Sequence, residues 1–107
     1  MDGWYPREKE KLKKLVEKLL ESASAKQTER NFSVNGIIVP HAGYAFSGRI
    51  AGKAFSLLKN SLSKNSEELK GKIAVVLGAN HYLPVRGAFS HNKNYWQTPL
   101  GKIKVEK

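Results

Sequence analysis

The first clear pattern in the chain is an apolar stripe with helical spacing. Between residues 7 and 22 the apolar side chains are Leu12, Leu15, Val16, Leu19 and Leu20. All the remaining positions except Ser22 carry charged residues. Positions three, four, seven and eight apart share one side of an α-helix. The spacing therefore predicts an amphipathic helix over 7–22, followed by a mostly polar loop over 23–35.

Two continuous apolar runs flank a second helical pattern. The runs, 36–39 and 72–77, are rich in β-branched residues, as is typical of strands buried on both faces of a parallel sheet. Between them, apolar spacing predicts a helix from Ser47 to Lys59, with Ser47 as the N-cap, and then a polar connector over 60–70. Strand, helix and strand in this order form a β-α-β unit. We therefore expect an α/β fold with a mainly parallel sheet and flanking helices.

The last third of the chain carries weaker signals. Residues 85–89 predict a short strand, 92–96 a polar excursion, and 102–105 an alternating strand. A strand that begins at 102 has no later partner in the sequence. We therefore expect residues 1–107 to be the amino-terminal part of a single, larger α/β domain.

Composition narrows the class of protein. A chain of 107 residues with 40% hydrophobic and 26% charged residues fits one small globular domain. It has no cysteine, which excludes disulfides and thiolate ligands within the chain and is compatible with a cytoplasmic location. No apolar run approaches the roughly 20 residues of a membrane span, so no membrane association is expected.

The net charge of +10 raises nucleic acid as a partner. The lysines and arginines, however, are spread along the chain and form no basic block, which is typical of solvated faces and argues against nucleic acid. The expected partners are instead a small molecule or a peptide.

Two histidines follow the two predicted strands. His41 directly follows the first, and His81 comes four residues after the second. Ligands bind beyond the carboxyl ends of strands in open parallel sheets, so the two imidazoles are expected within reach of one ion. The alternative is that each is a hydrogen-bonded structural residue, as single strand-end histidines commonly are. His91 lies in a polar run and is expected to be exposed.

Other chemistries have less support. Non-haem iron sites commonly use two histidines and a carboxylate, but neither of the two predicted buried strands is followed closely by an acidic residue. Ser47 lacks the nucleophile elbow of a serine hydrolase. Gly48 and Gly52, four residues apart, predict close packing of a helix against the sheet, although the helix start near Ser47, with Arg49, favours an anion.

Five motifs in the same order resemble those of the Memo-like family, named after mediator of ErbB2-driven cell motility. Microbial members are called protein B of the AmmeMemoRadiSam system. The motifs are Gly-Trp-Tyr-Pro at 3–6, the run from Gly36 to Tyr44, Phe46-Ser-Gly48, the run from Leu77 to Tyr82, and the run from Trp96 to Gly101. The resemblance implies the fold of class III extradiol dioxygenases, an α/β sandwich with a non-haem metal at the sheet edge. It implies His41 and His81 as metal ligands, with iron or copper bound and zinc as an alternative.

The resemblance also implies that the site has further parts. Family chains are more than twice this length, and a further His, with a Cys in the animal form, lies in their later half. The chain is thus expected to be the amino-terminal part, 1–107, of a Memo-like domain that needs further chain or a partner to complete it. The resemblance to metal-dependent dioxygenases therefore does not imply catalysis by this chain alone.

Two functions of different classes follow. The first is a metal-binding redox or dioxygenase-like protein, in which Gly43, Tyr44, Asn80 and Tyr82 contribute to the substrate pocket. The second is a non-catalytic adaptor that uses the same cleft for a peptide or anionic ligand, since the animal member is described as engaging phosphotyrosine peptides. Arg49 and Arg86 favour such ligands because arginine pairs bidentately with phosphate. A truncated product without independent function is the third alternative.

Overall fold

The computed structural model describes residues 3–24, 33–64, 71–84, 86–90 and 92–106. Within these residues the chain forms a small α/β arrangement of two helices and one hairpin. Helix α1 spans Lys9–Ser24, helix α2 spans Tyr44–Lys64, strand β1 spans Tyr95–Thr98 and strand β2 spans Gly101–Lys104. No helix in the described part has both the length and the hydropathy that a bilayer crossing requires.

Helix α1 confirms the prediction from the apolar stripe. Leu12 is buried and the other apolar residues of the stripe are half-buried, whereas the lysines and glutamates between them are exposed. The striped face packs against α2, so burial of apolar area holds the two helices together. The exposed ion pair between Lys11 Nζ and Glu8 Oε1, at 2.7 Å, adds little to the stability of the helix because solvent screens the two charges.

The two helices approach each other closely at two glycines. A Cβ atom on Gly52 would lie 2.5 Å from the carbonyl oxygen of Leu19, and one on Gly48 would lie 2.9 Å from the Cδ1 atom of Leu19. The close packing expected from the glycine pair is confirmed, but the partner is helix α1 rather than the predicted sheet. Only glycine admits the α1 backbone at position 52.

Helix α2 begins three residues earlier than predicted, and Ser47 is not its N-cap. The Ser47 hydroxyl donates backwards to the carbonyl oxygens of Ala42 at 2.8 Å and Gly43 at 3.4 Å. The carbonyl of Gly43 instead accepts the amides of Phe46 at 2.9 Å and Ser47 at 3.1 Å, which starts the helix. Ser47 thus lies buried inside the first turn.

Helix α2 also ends later than predicted, at Lys64 instead of Lys59. No glycine or proline interrupts residues 60–64, so the helix continues into the segment expected to be a connector. Buried Ser61 lies in this extension, and its hydroxyl accepts the amide of Val34 at 2.8 Å. The extension therefore anchors the chain just before the first predicted strand.

The predicted parallel strands do not form within the described residues. Segments 36–39, 72–77 and 86–89 are not in strands. Residues 72–77 are exposed, with Val75 at 80% and Leu77 at 88%, whereas in 36–39 Ile38 is fully exposed and Ile37 and Val39 are half-buried. A strand needs a neighbour for its backbone donors and acceptors, and apolar composition does not supply one. Val85, His91 and most of the predicted loop over 23–35 lie outside the described residues.

The hairpin of β1 and β2 is antiparallel, with Tyr95 opposite Lys104 and Thr98 opposite Gly101. The strand predicted over 102–105 is confirmed to within one residue, but the polar excursion over 92–96 is wrong because β1 begins at Tyr95. Aromatic and β-branched residues favour strands, and β1 consists largely of them. Gly101 closes the turn with a φ of +143°, a conformation that favours glycine.

Replacing Gly52 with alanine is expected to destabilise the chain by about 1–3 kcal/mol, because the new methyl group would overlap the Leu19 carbonyl and outweigh the gain in helix propensity. Urea denaturation followed by circular dichroism measures the change. The matched control is Gly36→Ala, where an added Cβ meets nothing within 4 Å. Equal stability of the two variants would contradict the close approach.

Candidate functional site

The structure brings His41 and His81 together. Their Nε2 atoms lie 3.0 Å apart, and their ring centroids lie 5.1 Å apart with the ring planes tilted by 47°. Both side chains are exposed, and forty residues separate them in the sequence. The structure therefore agrees with the predicted proximity of the two imidazoles. Their role as metal ligands stays a prediction.

The loop carrying His41 is held by the amino-terminal segment. The amide of Tyr44 donates to the carbonyl oxygen of Trp4 at 2.8 Å, and the rings of Tyr5 and Tyr44 lie 5.7 Å apart. A Cβ atom on Gly43 would lie 3.0 Å from the carbonyl oxygen of Gly3. Gly43, predicted as a substrate-binding residue, thus lets the amino-terminal backbone approach the His41 loop.

The loop carrying His81 is held by the side chain of Asn80. Its Oδ1 atom accepts the amides of Tyr82 at 3.2 Å and Leu83 at 3.0 Å, and its Nδ2 atom donates to the carbonyl of Leu83 at 2.7 Å. The ring of Tyr82 stands edge-on to that of His81, with centroids 6.3 Å apart. Asn80 and Tyr82 were predicted as pocket residues, and both are exposed beside His81.

A cavity of about 630 Å³ lies on one side of His41, between the two helices, the amino-terminal segment and residues 39–42. Aromatic and aliphatic side chains dominate its lining. The lining residues are Trp4, Tyr5, Val16, Leu19, Leu20, Val39, Pro40, His41, Ala42, Tyr44, Ser47, Gly48, Ala51, Gly52, Phe55, Lys59 and Leu100. Of the four predicted substrate residues, Tyr44 belongs to this lining, and Gly43, Asn80 and Tyr82 do not.

Trp4 and Tyr5 are site residues that the sequence analysis did not single out. Their signal was present, since the Gly-Trp-Tyr-Pro motif at 3–6 places two adjacent aromatic rings outside any periodic helix. Because they lie outside a periodic element, periodicity does not indicate whether their side chains are buried or exposed. Contacts with Tyr44 and, for Trp4, with Gly43 place them beside His41.

Little of the anion-binding capacity expected at the start of α2 remains. The amide of Tyr44 already donates to Trp4, and those of Phe46 and Ser47 donate to Gly43. An anion at a helix start binds through such amides, so an occupied first turn offers it few donors. Arg49 is exposed on this helix, and Arg86 is exposed in the segment after His81.

Among the described residues, the histidine pair is not part of a larger cluster of possible metal ligands. Across the described residues, no group of three or more His, Cys, Asp or Glu side chains gathers in one place. Whether the two imidazoles belong to a larger ligand set therefore stays a prediction.

Comparison with known proteins decides the family. A family model described as Memo-like protein matches residues 2–107. The chain belongs to this Memo-like family. The match includes both histidines and the Gly-Trp-Tyr-Pro segment, so it confirms the resemblance found in the motifs.

Curated Memo-like relatives come from archaea and bacteria. A MEMO1 family protein of Nitrosopumilus maritimus is 29% identical over 105 residues, covering 96% of this chain and 35% of the relative. One from Methanopyrus kandleri is 29% identical over 108 residues, covering 96% and 36%. One from Saccharolobus solfataricus is 36% identical over 69 residues, covering 64% and 22%. The chain thus spans about a third of the length of the relatives that it matches end to end. No solved structure matches the chain significantly.

Replacing Gly43 with valine is expected to push the amino-terminal segment off the His41 loop, because its Cβ would press on the Gly3 carbonyl. Loss of the Trp4–Tyr44 backbone hydrogen bond costs about 1 kcal/mol and frees the Trp4 ring. In a Trp96→Phe background, acrylamide quenching of the remaining indole should increase. Gly36→Val, at an open position, should leave the quenching unchanged, and an unchanged Gly43→Val chain would refute the contact.

Proposed function

We propose that this Memo-like chain contributes His41 and His81 to the metal centre of a redox or dioxygenase-like protein. The proposed metal is iron or copper, with zinc as the alternative. The observation that carries the proposal is the 3.0 Å separation of the two Nε2 atoms. The proposed location is the cytoplasm, which the absence of cysteine from the sequence favours.

The separation of the two nitrogens fits joint coordination. Imidazole nitrogens bind a transition metal at about 2.0–2.1 Å, so two ligands roughly 90–110° apart lie about 2.8–3.4 Å from each other. The His41 and His81 nitrogens need no large movement to meet this geometry. In the metal-free protein, one neutral imidazole can instead donate its N–H to the other. A bound iron or copper would supply one-electron chemistry at this point.

The cavity supports a small apolar or aromatic substrate. His41 lies in its lining, and the rings of Trp4, Tyr5 and Tyr44 supply flat apolar surface beside it. Aromatic walls exclude water and favour ring-shaped ligands through stacking. The Tyr44 side chain would orient a substrate next to His41, while the amino-terminal segment closes that side of the cavity.

We propose that the rest of the site comes from the part of a Memo-like domain that this chain does not span. The chain covers about a third of its relatives' length, and the described residues hold two candidate ligands. In such a completed domain, segments 36–39 and 72–77 would pair as parallel strands. The approach of His41 and His81, each of which follows one of these segments, supports this, because the carboxyl ends of parallel strands meet at one edge of a sheet.

The second candidate is a non-catalytic module that binds an acidic peptide in the same cavity. Lys59 belongs to the cavity lining, and the chain carries a net charge of +10. The occupied amides at the start of α2 give this candidate less support than the histidine pair gives the first.

The metal proposal is tested with chain purified without a histidine tag. Equilibrium dialysis against Cu²⁺ or Fe²⁺, which does not strip weakly held metal, followed by elemental analysis should find up to one bound ion per chain. The His41→Ala, His81→Ala double variant should lose more affinity than the roughly 10- to 100-fold that removing an outer hydrogen-bond partner costs. His91→Ala is the matched histidine control. Equal metal in the double variant and the unsubstituted chain would contradict the proposal.

The two candidates differ in their response to salt and chelator. If the chain is a peptide-binding module, capture of a phosphotyrosine peptide should weaken with ionic strength and persist in chelator, because screened charges and not metal would hold it. Lys59→Ala should weaken capture, and Lys53→Ala on the same helix is the matched control. Capture that chelator abolishes would favour the metal centre.

A further inference from the structure

The loop after the second predicted strand has one side chain that organises it. Segment 71–84 is exposed throughout and has no ladder partner among the described residues. Its hydrogen bonds to described residues are those of Asn80 and the contact between His81 and His41. Among the described residues, Asn80 therefore makes the side-chain hydrogen bonds that shape the turn next to His81.

The carboxamide of Asn80 is directed at the backbone. Its oxygen accepts two amides, at 3.2 and 3.0 Å, and its nitrogen donates to one carbonyl at 2.7 Å, all within residues 82–83. A side-chain amide that bonds to the backbone two and three residues ahead replaces a turn's own hydrogen bonds and fixes its shape. The capacity left for a substrate is small.

We propose that Asn80 is a positioning residue, which fixes the turn over 80–83 so that the His81 ring meets the His41 ring. This inference rests on the proposed metal function for its consequence, but the positioning itself is a property of the metal-free chain. It replaces the substrate-binding role that the sequence analysis gave to Asn80.

The chemistry of the two loops explains why this side chain matters. The His41 loop leads directly into helix α2 and is tied to the Trp4 backbone, so its course is set by regular structure. After the His81 loop, the described residues before β1 (82–84, 86–90 and 92–94) are exposed and lie in no helix or strand. Without the carboxamide, the turn would regain several backbone conformations, and the His81 ring would leave His41 in most of them.

The experiment uses three variants of the 107-residue chain. Asn80→Ala removes all three hydrogen bonds. Asn80→Ser keeps an oxygen that can accept the amides ahead of it, as serine does in turns. Asn94→Ala removes an exposed asparagine side chain elsewhere and leaves its backbone carbonyl, which accepts the amide of Val105, in place.

The first measurement is made without metal. Nuclear Overhauser effects between the ring protons of His41 and His81 report directly on their approach. They should be present in the unsubstituted chain, Asn80→Ser and Asn94→Ala, and absent in Asn80→Ala. The second measurement is Cu²⁺ affinity, which should fall roughly 10- to 100-fold in Asn80→Ala and recover for the most part in Asn80→Ser. Circular dichroism should show unchanged helices, since Asn80 lies outside both.

The outcomes separate the inference from the function on which it rests. Overhauser effects between the rings that persist in Asn80→Ala would overturn the positioning role, whatever the copper affinity. An Asn80→Ser chain that behaves like Asn80→Ala would overturn the hydrogen-bonding account. If the two rings separate in Asn80→Ala but the His41→Ala, His81→Ala double variant binds Cu²⁺ with unchanged affinity, the positioning role is sustained and the metal function is refuted.

Discussion

The contact of Gly52 with the backbone of Leu19 is the constraint on which the rest of the structure depends. It lets α1 and α2 approach closely enough to bury the apolar stripe of α1, which contains the buried Leu12. With α2 fixed in this way, its first residue, Tyr44, is fixed too, and the His41 loop starts from a defined point. The cavity between the helices exists because the glycines set their separation while Val16 and Phe55 flank it.

The two histidines meet through different kinds of support. On one side, regular structure and a backbone bond to Trp4 hold the loop, so the support is spread over many atoms. On the other, one carboxamide shapes the turn. The His41 loop is thus supported by helix α2, by the close approach at Gly43 and by the Trp4 backbone, whereas the described support of the His81 turn comes from one side chain.

The sequence predicted the elements that rest on local pattern. The helix α1 was predicted because its apolar residues repeat with helical periodicity. Close packing at α2 was predicted because two glycines stand four positions apart on one helix. The strands over 36–39 and 72–77 were not borne out within the described residues, because a ladder requires partners that composition cannot supply. The proximity of His41 and His81 was nevertheless predicted correctly. The N-cap role predicted for Ser47 was wrong and Trp4 was not singled out, because both residues act through contacts, with Ala42 and Tyr44, that no spacing rule encodes.

The exposed run from Ile73 to Leu77 has a consequence for how the chain behaves in concentrated solution. Five consecutive apolar residues without charge present an open backbone, and such segments pair readily with copies of themselves. Lys72 is the charged residue directly beside the run, and a single flanking charge restrains stacking only weakly. At high concentration the chain is therefore expected to self-associate through this run, and co-expression with a polypeptide that covers the run would suppress it.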